Sequence, residues 1–159
     1  MVTAPDPSDA FPFVEALRAS HTLFAAVAIA HTAGFILLVG SVFFLDLRVL
    51  GVARRLSVRA LAALLMPWSF ASLVVIIPTG LAMYAVHADR LFGSPVFKLK
   101  MGLILAAATN AAYFLTGPYQ SVKTWDVDAT APLDARLSAI ASLLLWAGVV
   151  CCGGLIAFR

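Results

Sequence analysis

The sequence predicts an all-α integral membrane protein built as a four-helix bundle. Three observations carry this. Of 159 residues, 62% are hydrophobic and only 12% charged, whereas a soluble domain carries about 25% charged residues. The apolar residues gather into four runs, each near or above the roughly 20 residues that a helix needs to cross a hydrocarbon core of about 30 Å. A chain of this length has too little interior to bury several such helices in water, so lipid must solvate their outer faces. The expected organisation is one membrane domain, residues 21–159, preceded by an exposed tail or interfacial segment, residues 1–20.

Residues 1–20, MVTAPDPSDAFPFVEALRAS, lack the basic start and continuous apolar stretch of a signal peptide, and carry Pro5, Pro7 and Pro12 with Asp6 and Asp9. They read as a retained, exposed segment. The first span covers about 22–44, TLFAAVAIAHTAGFILLVGSVFF, with His31 as its one strongly polar interior residue. The second, about 58–86, holds Pro67 and Pro78, which remove backbone donors and leave carbonyls for neighbouring helices to satisfy. Ser94 and Pro95 read as an N-cap with proline at the first helical position, opening a third span over about 96–115 that Gly117 and Pro118 end. A polar connector with Lys123, Trp125, Asp126 and Asp128 leads to Pro132 and Asp134, which open the last span, about 137–158.

The basic residues sit at the ends of these runs, where membrane orientation accounts for them, and no nucleic-acid partner is expected despite the net charge of +3. Arg48, Arg54, Arg55 and Arg59 crowd the first loop. By the positive-inside rule that loop is expected in the cytoplasm, with both termini periplasmic. Cys151 and Cys152 are adjacent and within an apolar run, so a stabilising disulfide between them is not expected.

Ionisable side chains at membrane depth are costly and are functional candidates for that reason. His31 lies about 13 Å into its span, where a neutral imidazole binds metal or haem iron, or relays protons; the alternative is an interhelical hydrogen bond to a carbonyl freed by Pro78. His21 and His87 fall at the same membrane boundary, and Met83 shares a helical face with His87, so the three form a candidate soft metal or haem-ligand site, or else simply face headgroups and water. Lys98 and Lys100 point about 200° apart, so one at most faces the bundle easily, the other snorkelling to the interface. Asn110 reads as interhelical glue. Asp46 and Arg48 read as an interfacial anchor, paired with each other or with polar groups on the second span. Trp68 and Trp146 fill the bundle or line a planar cofactor. Gly34, Gly40, Gly148, Gly153 and Gly154 permit close packing, within the bundle or against other membrane proteins. The sequence has no phosphate-binding loop, HExxH pair or CxxCH haem-attachment motif.

The stretch AHTAGFILLVGSVFFLDLRVLG, followed by LLMPWSF, PTGLAMY and FKLKMGLILAAATNAAYF, resembles a family of uncharacterised bacterial four-helix membrane proteins. More distantly it is similar to the HemJ-type protoporphyrinogen oxidases and the copper-resistance D-like membrane proteins, which also place a histidine in an early span. The resemblance implies that His31 matches that histidine, Leu47-Arg48 a following Leu-Pro-Arg segment, here Asp46-Leu47-Arg48, and Lys100 a lysine opening a later helix. It implies a bacterial inner-membrane protein holding haem b, with copper as the alternative, with His31 as ligand and Lys100 beside a propionate; on the residues themselves, Met83 with His87 offers alternative ligation near the outer surface. A cofactor-free accessory subunit of a larger membrane complex, copper or small-solute transport, and a homo-oligomer remain open on the residues alone.

Overall fold

The structure, a computed structural model, describes residues 12–157; residues 1–11, which hold most of the N-terminal prolines and acids, and Phe158, the last residue of the fourth predicted span, lie outside them. The described chain is helical, with no strand among its described residues. A short α1 (Pro12–Ala19) precedes α2 (His21–Val49) and α3 (Val58–Val86); a single-turn α4 (Ala88–Phe92) precedes α5 (Pro95–Thr116); and a 3₁₀ helix (Pro118–Thr124) leads into α6 (Leu133–Ala157). α2, α3, α5 and α6 are the four helices long and apolar enough to cross a membrane, which makes this a multi-pass membrane protein. Their lipid-facing residues are large and bare: Ile29, Val74, Leu105 and Leu144 are all exposed, as lipid requires and water would not tolerate over so large an area.

Local chemistry starts each helix where the sequence places it. The hydroxyls of Ser20, Ser57 and Ser94 accept from the backbone N–H groups of Leu23, Ala60 and Phe97 respectively, satisfying donors that the first helical turn leaves free. α3 runs through Pro67 and Pro78 without a break. α1 is a packed element and not a bare tail in its described part: Leu17 is 2% exposed, and Arg18 donates to the Ala85 carbonyl at 3.2 Å, near the end of α3.

The spans form two antiparallel hairpins, α2 with α3 and α5 with α6, joined where α2 meets α6. Each hairpin closes over a glycine. A Cβ at Gly34 would stand 3.0 Å from Ile76, and one at Gly148 would stand 2.9 Å from Leu103, so these two glycines are consumed inside the bundle. By contrast, no Cα of α3 lies within 8 Å of a Cα of α5. The bundle therefore has a seam, bridged near the chain termini by Tyr84 and Phe97, whose rings stack at 5.3 Å.

The densest packing lies at the arginine-rich end, where Val49, Val58, Val122, Trp125, Ala131, Ala135 and Ala139 form one buried cluster. Arg48 holds that end together. It is 3% exposed, and its guanidinium donates to the carbonyls of Leu56 at 2.5 Å, Arg54 at 2.9 Å and Asp126 at 2.9 Å. This corrects the anchor reading: Arg48 pairs with neither Asp46 nor a side chain of the second span but closes the α2–α3 loop and the α5–α6 connector around itself. Left-handed backbone at Gly51 (φ 105°) and Ala53 (φ 51°) makes the tight turn between α2 and α3, and Arg54's carbonyl also receives the N–H of Asp128 at 3.0 Å.

Asp126 returns the contact to α3. Its carboxylate accepts from the Arg59 backbone N–H at 2.9 Å and from the Ser57 hydroxyl at 2.9 and 3.1 Å, and its own carbonyl receives the Val58 N–H at 3.2 Å. The Arg59 amide is the main reason that the carboxyl is held below the usual carboxylate range, with the Ser57 hydroxyl and the Arg59 charge adding to it against an opposing effect of burial. Because the folded state favours the ionised form, this contribution is complete above the ordinary aspartate range and is lost as pH falls through the depressed folded value. Two outcomes follow for unfolding in mild detergent. Asp126→Ala should cost about 1 kcal/mol, the worth of a helix cap, and should flatten the acid limb of the stability profile. Arg48→Lys, which keeps the charge but cannot serve three carbonyls in this arrangement, should cost about 2–4 kcal/mol.

Candidate functional site

The other half of the bundle contains the candidate site. His31 projects from α2 toward α3, where Nδ1 lies 3.2 Å from the Ile76 carbonyl and 3.1 Å from the Thr79 hydroxyl. A carbonyl can only accept, so Nδ1 carries the proton. The Thr79 hydroxyl in turn donates to the Val75 carbonyl at 2.5 Å, which leaves its oxygen free to accept from His31. Donation from Nδ1 to Ile76 is the arrangement that would leave Nε2 available to a ligand. The sequence reading expected a bond to the carbonyl that Pro78 frees; the carbonyl used is Ile76's, and the threonine beside the proline shares the contact.

Gly80 makes room for this ring. A Cβ there would lie 3.0 Å from His31 Cε1 and 3.5 Å from Nδ1, so the imidazole lies against bare backbone. Lys100 enters from α5. Its Nζ lies 3.8 Å from where a Gly153 Cβ would stand, the lysine is partly buried, and its charge acts on His31. Lys98, two residues earlier, is exposed and lies over the Phe92 ring at 5.8 Å. Among the described residues no carboxylate acts on His31 or Lys100; the other ionisable neighbour of Lys100 is Cys152. The site therefore sets an imidazole and a lysine amine near one another with, among the described residues, no carboxylate beside them.

The remaining candidates are distributed around it. His87 caps α3, stacks on Phe24 at 5.3 Å, and has a buried Nδ1 without a hydrogen-bond partner among the described residues. His21 is exposed at the start of α2. Met83 is partly buried and stands one turn beyond Gly80 on α3, about 4.5 Å along the axis, whereas His87 is about 10 Å along. Among the described residues no three His, Cys, Asp or Glu side chains come together as a metal site. Cys152 is buried and Cys151 exposed. Trp146 meets Phe35 edge-on across α2 and α6 at 6.1 Å; Trp68 is 57% exposed and turns outward, so it does not line the site. Asn110 donates to the Ser138 carbonyl at 3.0 Å and accepts from its hydroxyl at 3.1 Å, joining α5 to α6. A groove on α5 lined by Gly102, Leu105, Ala106 and Thr109 centres on residues about 120–180° around that helix from Lys100, and so opens on a different face from it.

Residues 18–159 match the profile of the Family of unknown function (DUF6644). The chain belongs to this family. No curated protein and no solved structure matches the chain, so the likeness to HemJ-type and copper-resistance D-like proteins has no support from those comparisons. Since the DUF6644 match covers all four spans, it includes the His31, Gly80 and Lys100 positions together.

The fit of His31 against Gly80 is testable by a double-mutant cycle in this DUF6644 member. Gly80→Ala alone should destabilise by about 1–3 kcal/mol, the cost of overpacking. In a His31→Ala background the same change should cost much less, because the atom it meets is gone; equal costs in both backgrounds would show that the contact is unimportant.

Proposed function

We propose that this protein binds haem b in the bacterial inner membrane, where His31 would hold the iron, and that it has a role in electron transfer or haem-linked redox chemistry. The observation that carries the reading is the state of His31. Ligating histidines characteristically donate their second ring N–H to a carbonyl or carboxylate, which fixes the tautomer and makes the ligating nitrogen more basic. His31 has that arrangement through Ile76. Lys100 without a carboxylate partner suits a propionate, and the seam between α3 and α5 gives a flat apolar group a way in between helices. Bound haem would supply one-electron chemistry. The chain's part is to hold Nε2 free, to neutralise an anionic edge through Lys100 and to exclude bulk water. Met83, one turn from Gly80, is the side chain best placed to serve as a further ligand, ahead of His87. The crowding of Arg48, Arg54, Arg55 and Arg59 at one end supports a cytoplasmic position for that end.

The accessory-subunit reading loses part of its basis, since Gly34 and Gly148 are occupied by contacts within the chain. Spectra of detergent-purified protein, oxidised and dithionite-reduced, with metal analysis, test the proposal. A stoichiometric Soret band that shifts on reduction is expected. It should be lost in His31→Ala, weakened in Lys100→Met and retained in Asn110→Ala. Colourless protein from haem-replete cells, free of iron and copper, would sink the redox reading.

A further inference from the structure

Asp46 stands apart from both the arginine knot and the histidine site. It is 9% exposed, on α2 about one turn from its arginine-rich end, and it faces the joint with α6. There the Ser142 hydroxyl addresses its carboxyl, and Ser142 is itself buried. Oδ2 is enclosed with no hydrogen-bond partner among the described residues. Arg48 is two residues away, which places it about 200° around the helix, and its guanidinium is committed to three carbonyls. On α6, Asp134 and Arg136 are exposed at the start of the helix. Among the described residues, no charged side chain compensates the Asp46 carboxyl, and what acts on it is its burial and Ser142.

An ionised carboxylate enclosed in this way, with one oxygen unpaired, is strongly disfavoured unless something positive joins it. The joint offers one carboxylate and the Ser142 hydroxyl, too few oxygens for the six or more ligands that hard cations such as calcium and magnesium take, and among the described residues no three His, Cys, Asp or Glu side chains come together as a cation cage. A proton needs only one of these oxygens. We infer that Asp46 is a proton-binding site of the α2–α6 joint, taking its proton from the arginine-rich side of the membrane, with Ser142 as its hydrogen-bonding companion. The balance is simple: the O–H bond forms on Oδ2 at the expense of a hydronium or water O–H, and the carboxylate charge disappears as it forms. This site is separate from His31 and does not depend on a bound cofactor.

Infrared spectra of the lipid-reconstituted full chain, recorded across pH, test the inference. The wild-type protein should show a carbonyl-stretch band of a protonated carboxylic acid that persists where exposed carboxyls are ionised and disappears at higher pH. The band should be absent from Asp46→Asn, which keeps the shape of the protonated acid, and should move in frequency in Ser142→Ala. Superimposable spectra of wild type and Asp46→Asn at every pH would overturn the proposal. So would a band that sodium ions abolish at constant pH, which would make this a cation site. Should Asp46→Asn fail to fold, the Ser142→Ala band decides, and an unmoved band refutes the assignment.

Discussion

The structure depends on what Arg48 does with a charge that the membrane cannot solvate. A buried guanidinium needs acceptors in several directions, and a helix that has just left the hydrocarbon region has spare carbonyls in its loops. Arg48 takes one from Leu56, one from Arg54 and one from Asp126, a residue 78 positions further along. Two loops that are distant in sequence are thereby made into one floor. Asp126 then reaches back to the first turn of α3 through Arg59 and Ser57, so the floor also sets where α3 begins. The buried apolar cluster with Val58, Val122 and Trp125 packs around this polar centre.

Fixing one end frees the other. Because the two hairpins are joined at the floor and along α2 and α6, α3 and α5 need not touch for the bundle to hold. His31 lies within the α2–α3 hairpin, against Gly80, and Lys100 within the α5–α6 hairpin, beside Gly153. His31 itself is braced within one hairpin, by Ile76, Thr79 and Gly80 of α3, so its orientation is set before anything enters the seam. Lys100 comes from the other hairpin. The two candidate groups are held by different halves of the molecule, and a change in how the hairpins meet would alter the distance between them.

Much of this was legible in the sequence, for identifiable reasons. The spans follow from apolar runs that only lipid can solvate, and the second has the bounds read from its prolines and flanks, Val58–Val86. The first continues to Val49 because Asp46 and Arg48, taken as markers of the interface, are inside the protein. That Lys98 and Lys100 take different courses follows from two residues of helix, although spacing does not say which of them turns inward, and Asn110 bonds across to α6 as a buried amide must. The connector was the blind spot. Its polar composition hides that Val122 and Trp125 are buried, and no periodicity signals a 3₁₀ turn followed by an aspartate whose partners lie nearly 70 residues away. Trp68 misled for a related reason: a span that is apolar all round does not show which side meets lipid.

Asp46 and Arg48 also show why a charged pair in a sequence is not a pair in space. Residues two apart on a helix diverge by about 200°, so mutual neutralisation was geometrically unfavourable from the start, and each must find its own solution. The guanidinium has many donors and found carbonyls, which every loop provides. The carboxylate needs donors, and the helix interfaces that face it provide only hydroxyls, since the backbone N–H groups of a transmembrane helix are already spent on its own carbonyls. A buried base is therefore easily satisfied by a membrane protein's backbone, whereas a buried acid is not. That asymmetry makes Arg48 a structural element, held by three carbonyls, and leaves Asp46 Oδ2 enclosed with no partner among the described residues.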